Sequence, residues 1–251
     1  MKKVLCFGGY LQGAEVFAEK SASLRQLLAE KNFQLEYLDP PIKLSQEPGF
    51  TTPFSKVTTK SGETVWERAI RRDSDRAWWR HNSGVNRGLE AAVDYVMDYV
   101  KRTGPYVGVV GFSQGACLAA MVANTIHKRL PQHPPLQFAL VFSGFAFTQP
   151  LNCDRAEVQR YEHDFSNYAP RVTLLRGYEQ FFEIPPDLST KMVLVYGTSD
   201  SVVLPVRTQY LASLYPNPVV ITFDGHHHLP RDPRVLASIV QHLELRRTHS
   251  L

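Results

Sequence analysis

Short continuous apolar runs alternate along this chain with stretches whose apolar positions recur at helical spacing. Val4-Leu5-Cys6-Phe7 is one such run, closed by Gly8 and Gly9, and reads as a strand buried on both faces. Val16, Phe17, Leu24, Leu27 and Leu28 then recur near helical spacing as far as Asn32, which predicts one helix. Phe33 to Leu38 reads as a second strand, ended by Asp39-Pro40-Pro41. Leu89, Val93, Val96, Met97 and Val100 put one apolar stripe on a helix that Thr103-Gly104-Pro105 terminates. Strand-like runs return at Tyr106 to Val110, Phe138 to Phe142, Met192 to Tyr196 and Val219 to Phe223, with helices expected after all but the second of these. A last helix is expected from about Asp232 to Arg247, with Val235, Leu236, Ile239, Val240 and Leu243 inward.

Strands alternating with amphipathic helices predict an α/β fold, a mostly parallel central sheet with helices on both faces. Ligands of such sheets bind at the carboxyl ends of the strands. Two stretches break the rhythm, Pro41 to Gly84 and Thr148 to Asp187, and both are read as lid-like insertions over one sheet. The 251 residues are therefore read as a single domain, 1–251.

Composition narrows the function classes. With 43% hydrophobic and 21% charged residues the chain is an ordinary globular one, neither disordered nor collagenous. The net charge of +4 is spread along the sequence, so no nucleic-acid partner is expected. Cys6, Cys117 and Cys153 form neither a paired framework nor a Cys-x-x-Cys site, which fits a reducing compartment and buried thiols. The run after the two N-terminal lysines is too short for a signal peptide, and no apolar run is long enough to span a membrane. A cytoplasmic or nuclear location is the expectation.

The sharpest local signal is Gly111-Phe112-Ser113-Gln114-Gly115. It follows the strand Val107 to Val110 and precedes the helix-forming run Ala116 to Ala123, the strand-turn-helix setting of a nucleophile elbow. A serine on that turn must project above the sheet, and glycines two residues to either side remove the collisions that would prevent it. The competing reading is a glycine-rich turn that binds a phosphate at the helix N-terminus.

A serine hydroxyl becomes a nucleophile only when a base takes its proton, and the base needs a carboxylate to orient it. Asp200, just past the Met192 to Tyr196 strand, and His227, just past the Val219 to Phe223 strand, follow Ser113 in the α/β-hydrolase order of serine, acid, histidine. Asp224 is the alternative acid, although it stands close to His227 in the chain. His226, His227 and His228 are contiguous, and spacing alone separates them poorly; contiguous histidines also converge awkwardly on one ion, so no metal is expected. For the oxyanion, the candidate donors are the backbone N–H groups of Gln114 and of Tyr10, the latter in the turn after the first strand. A plain glycine turn is the alternative for Gly8-Gly9-Tyr10.

Taken together, Phe7-Gly-Gly-Tyr-Leu-Gln12, Arg76-Ala-Trp-Trp79, Gly111-Phe-Ser-Gln-Gly115, Gly197-Thr-Ser-Asp200 and His227-His-Leu-Pro230 resemble the fungal serine hydrolase family, collinearly over nearly the whole chain. The resemblance implies an α/β-hydrolase without cofactor that acts on carboxylic esters or acyl thioesters, with Ser113, Asp200 and His227 as its catalytic residues. Two positions depart from the family pattern. Gly8 stands where the early motif usually has histidine, and His226 stands where the histidine loop usually has a second glycine.

Trp78 and Trp79 are candidate substrate-binding residues lining an apolar channel, with core packing as the alternative. Arg68, Arg71, Arg72, Arg76 and Arg80 are read first as a solvated face interleaved with acids, and second as an attractor for an anionic carrier. The expected activity is a serine esterase or thioesterase on a small-molecule substrate. A catalytically silent scaffold that serves as a binding module and an acyltransferase are the alternatives.

Overall fold

The computed structural model describes residues 1–82 and 85–243. Its centre is a six-stranded, wholly parallel sheet made of β1 (Lys2–Phe7), β2 (Phe33–Leu38), β3 (Gly108–Phe112), β4 (Phe138–Phe142), β5 (Lys191–Gly197) and β6 (Val219–Phe223). The strand order is β6-β5-β4-β3-β1-β2. From β1 the chain steps to β2 on one side and returns to β3 on the other, so the order reverses between β1 and β3. That reversal opens a crevice above the carboxyl ends of these two strands, the place where ligands bind open α/β sheets.

Each strand sends alternate side chains into two cores. Leu5, Phe7, Val109, Ala139, Val141, Met192 and Leu194 face one. It is covered by α3 (Leu89–Thr103), α4 (Gln114–Arg129) and α5 (Pro205–Ser213). Val4, Cys6, Val110, Leu140, Val193 and Val195 face the other. There they meet α1 (Ala14–Lys20), α2 (Ala22–Glu30) and α6 (Pro233–Leu243). The stripe Leu89, Val93, Val96, Met97 and Val100 is buried throughout, as its spacing predicts.

Two boundaries differ from the sequence expectation. The single helix expected up to Asn32 is two, broken at Ser21. Its hydroxyl donates to the Phe17 carbonyl at 2.8 Å and pairs with the Tyr37 hydroxyl at 2.7 Å, replacing helix continuation with local bonds. The strand expected at Tyr106 to Val110 begins two residues later, at Gly108, and the Tyr106 N–H is taken by His133. The last helix begins at Pro233, and residues 244–247 of the expected span lie outside the described residues.

Neither interrupting stretch is structureless. The first contains the antiparallel pair Ile42–Lys43 with Arg76–Ala77, the helix Val65–Arg71 and the pair Arg80–Asn82 with Val85–Arg87; its expected end at Gly84 lies outside the described residues. The second pairs Thr148–Pro150 with Val172–Leu174 around the short helices Arg155–Arg160 and Phe165–Tyr168. Among the described residues no helix is long and apolar enough to cross a membrane.

Candidate active site

Ser113 sits between β3 and α4 with φ +54° and ψ −116°, a conformation that L-residues rarely hold. Its neighbours make the turn feasible. A Cβ on Gly111 would lie 2.1 Å from the Gly115 carbonyl oxygen, and one on Gly115 would lie 2.2 Å from that of Phe7. No side chain fits either gap, so the two glycines permit close contact between backbones. The Ser113 N–H donates to Phe142 at 2.9 Å, tying the turn to the end of β4.

Ser113 Oγ lies 3.0 Å from His227 Nε2, and His227 Nδ1 lies 2.8 Å from Asp200 Oδ2. The serine and histidine are 114 residues apart in sequence. The Asp200 carboxylate is fully buried at its side chain, and its second oxygen accepts from the Val202 and Val203 N–H groups at 3.0 and 2.9 Å. Burial pushes its pKa upward, but hydrogen bonds from His227, Ser143 and the Val203 backbone outweigh that and hold the group below the ordinary carboxylate value. Asp200 is thus ionised at neutral pH.

The three adjacent histidines separate cleanly. His226 is exposed, with Nδ1 3.0 Å from the Ser199 carbonyl, and His228 turns to the Leu229 carbonyl at 2.9 Å. Only His227 stands between the serine and the acid, and its ring lies against Phe112 at 4.8 Å. Asp224 is exposed at the surface. The Ser199 N–H donates to the Gly225 carbonyl at 2.9 Å, so the loops carrying Asp200 and His227 brace one another. Neither Gly225 nor His226 has a positive φ, and His226 fills the family's glycine position without backbone strain.

The turn after β1 approaches the same point. A Cβ on Gly9 would lie 3.3 Å from the Ser113 Cβ, which brings this backbone against the serine. The turn is closed by Gln12, whose side chain accepts from the Gly9 N–H at 3.1 Å while its own N–H donates to the Gly9 carbonyl at 3.1 Å. The Trp78 indole N–H donates to the Gly8 carbonyl at 2.8 Å. Gln12 and Trp78 therefore buttress the turn where the family pattern has a histidine. Sequence reading missed both roles, and also that of the Gln114 side chain, which accepts from the Trp78 N–H and donates to the Trp79 carbonyl, each at 2.9 Å. The recurrence of glutamine at 12 and 114 beside two glycine turns was the available signal.

Trp78 requires a correction. It has no exposed surface, packs edge-on against Phe7 at 5.4 Å and so cannot line a substrate channel; it is core. Trp79 is also buried except for an edge, which faces a cleft of about 410 Å³ shared with Tyr10 and Gln114. The arginines are mostly internally paired: Arg71 with Glu63, Arg72 with Glu19, Arg76 with Asp73 and Arg80 with Glu47. Those pairs favour the solvated-face reading.

Ser113 and His227 open onto a cleft of about 470 Å³, walled by Tyr10, Phe54, Phe112 and Val202. A half-buried serine on a strained elbow, bonded to a histidine bonded to a buried carboxylate, is a constellation of serine hydrolases. The profile of the serine hydrolase (FSH1) family matches residues 1–239. The chain belongs to the FSH1 serine hydrolase family.

Relatives of this FSH1 member include the human esterase OVCA2, 28% identical over 91% of this chain and 89% of its own length. The Saccharomyces cerevisiae protein family of serine hydrolases 2 is 24% identical over 97% of this chain and 98% of its own length. A Schizosaccharomyces pombe protein named dihydrofolate reductase is 25% identical over 91% of this chain, but the match spans only 44% of that longer protein. Among solved structures, Arabidopsis thaliana SOBER1 superposes with a TM-score of 0.54 at 15% identity, covering 96% of this chain and 97% of its own. Esterase PE8 does so with 0.53 at 17%, covering 96% and 91%. At such identities the likeness speaks for the α/β-hydrolase fold alone.

Proposed function

We propose that this FSH1 member is a serine esterase or thioesterase working through an acyl-enzyme, with Ser113 as nucleophile, His227 as general base and acid, and Asp200 as the orienting carboxylate. The observation that carries this reading is the continuous hydrogen-bonded line from Ser113 Oγ through His227 to the buried Asp200. With Asp200 ionised, Nδ1 carries the proton and Nε2 offers its lone pair to the serine hydroxyl. Oγ attacks the acyl carbonyl while its proton passes to Nε2, forming a tetrahedral oxyanion. Collapse expels the alkoxide or thiolate, which takes the proton from Nε2, and leaves the acyl group on Oγ. Water then repeats the sequence, its proton going to Nε2, and releases the carboxylic acid with the serine restored.

The oxyanion is assigned to the N–H groups of Gln114 and Tyr10. Gln114 is the first residue of α4, so its N–H lacks an intrahelical acceptor and the positive end of the helix dipole adds to it. The Tyr10 N–H belongs to the turn that Gln12 and Trp78 hold. No cofactor or metal enters this chemistry, and residues 1–251 are read as one domain because Ser113, Asp200 and His227 all extend from one sheet. The test is labelling by a fluorophosphonate together with turnover of p-nitrophenyl butyrate. Both are expected in the native protein and absent from Ser113→Ala; equal labelling of that variant, or no steady turnover by the native chain, sinks the reading.

A further inference from the structure

Beside the Ser113 cleft lies a second chamber of about 560 Å³, and Val202 forms part of the wall of both. Its sides carry an apolar strip of Phe147, Val158, Tyr168, Val172 and Leu204 among polar residues such as Gln159. Arg207 of α5 lines the same chamber. Its guanidinium rests over the Phe145 ring, 4.4 Å from the centroid, and among the described residues it has no ion-pair partner. Burial works against its charge strongly enough to lower its pKa, although Tyr168 and Glu162 of the chamber wall act the other way. The chamber wall otherwise carries one more cation, Arg155, against the single acid Glu162.

A partly buried guanidinium without a counter-ion is costly, whereas Arg72, Arg76 and Arg80 of the first insertion each hold a carboxylate. Arginine stacked on an aromatic ring is also preorganised for bidentate capture of a planar anion. Resting on the hydrolase reading of Ser113, we propose that this chamber is an acyl subsite for substrates whose acyl group ends in a carboxylate, with Arg207 as the specificity-determining residue. The methylene chain runs along Phe147, Val158 and Tyr168, and the terminal carboxylate meets Arg207. The natural substrates are accordingly monoesters or monothioesters of dicarboxylic acids.

The test compares p-nitrophenyl monoesters of succinic, glutaric, adipic and suberic acids with the same esters methylated at the far carboxylate. For at least one chain length, kcat/KM is expected to favour the free acid by about thirtyfold, the worth of one charged hydrogen bond. Arg207→Gln is expected to collapse that ratio towards one, and Glu162→Gln to raise it, which keeps the test valid if the arginine variant folds poorly. A native ratio at or below one, or a ratio untouched by Arg207→Gln, overturns the proposal. So does dependence on Arg207 seen only with acyl-CoA thioesters of neutral acids, which would put the anion in the leaving group. If neither ester turns over and a fluorophosphonate leaves Ser113 unlabelled, the hydrolase reading itself fails; equal turnover of the two esters removes the specificity alone.

Discussion

The side-chain amide of Gln114 grips the backbone of Trp78 and Trp79 from both sides, accepting from one N–H and donating to the next carbonyl at 2.9 Å each. The same residue offers its main-chain N–H at the start of α4, next to Ser113. One glutamine thus fastens the first insertion to the elbow, and Trp78 passes the connection on to Gly8 through its indole N–H. Replacing it with an isosteric apolar residue strands two buried backbone groups. Gln114→Leu is expected to lower stability by about 1–3 kcal/mol for each group left unpaired, seen as a lower denaturant midpoint. A fall in kcat is expected with it, because the Gly8 to Tyr10 turn loses its backing.

Ser113 holds a strained backbone, which sets stability against activity at one position. Relief of a rare φ/ψ is worth about 1–3 kcal/mol, against roughly 0.5–1 kcal/mol of added chain entropy for a glycine. Ser113→Gly is therefore expected to melt at a higher temperature than Ser113→Ala, while both are inactive. Thermal melts of the two variants, neither of which has the hydroxyl, check this; a lower melting temperature for the glycine variant would contradict it.

Asp200 links the site to acid stability. Its folded pKa lies below the ordinary carboxylate value, so its contribution is fully present above the unfolded pKa of about 4 and is lost as pH falls through the folded value. Native protein is expected to be more stable than Asp200→Asn at neutral pH, with the gap closing in acid below about pH 4. Melting temperatures of both proteins across that range would reveal it.

Gly8 stands where the resembling family has histidine, and the surroundings have closed over the vacated space. A Cβ there would lie 2.9 Å from the Gln12 carbonyl oxygen and 3.2 Å from the Phe17 Cβ. Gly8→His is thus expected to destabilise rather than restore, by about 1–3 kcal/mol as overpacking does, and to reduce kcat/KM. Chemical denaturation and ester kinetics on the variant decide it; a gain in both would show that the turn yields readily.

The chain's local patterns determined the alternation of strands and helices, the strand at Phe33–Leu38, the buried stripe of α3 and the glycine spacing around Ser113. Each depends on neighbours a few residues away, which is what periodicity records. Ser21 escaped that reading because its partner, the Tyr37 hydroxyl, comes from the next strand. The order of Ser113, Asp200 and His227 was visible too, but which of three consecutive histidines faces the serine depends on the loop from Gly197 to Asp200 bracing the one from Gly225 to His228. Likewise Trp78 and Trp79 look alike in sequence. Only packing against Phe7 sends the first into the core and leaves an edge of the second on a cleft, and only the fold brings Arg207 to the chamber beside the Ser113 cleft, with no ion-pair partner among the described residues. Burial and charge pairing across the molecule are set by which elements meet, and the sheet's reversal between β1 and β3 decides that.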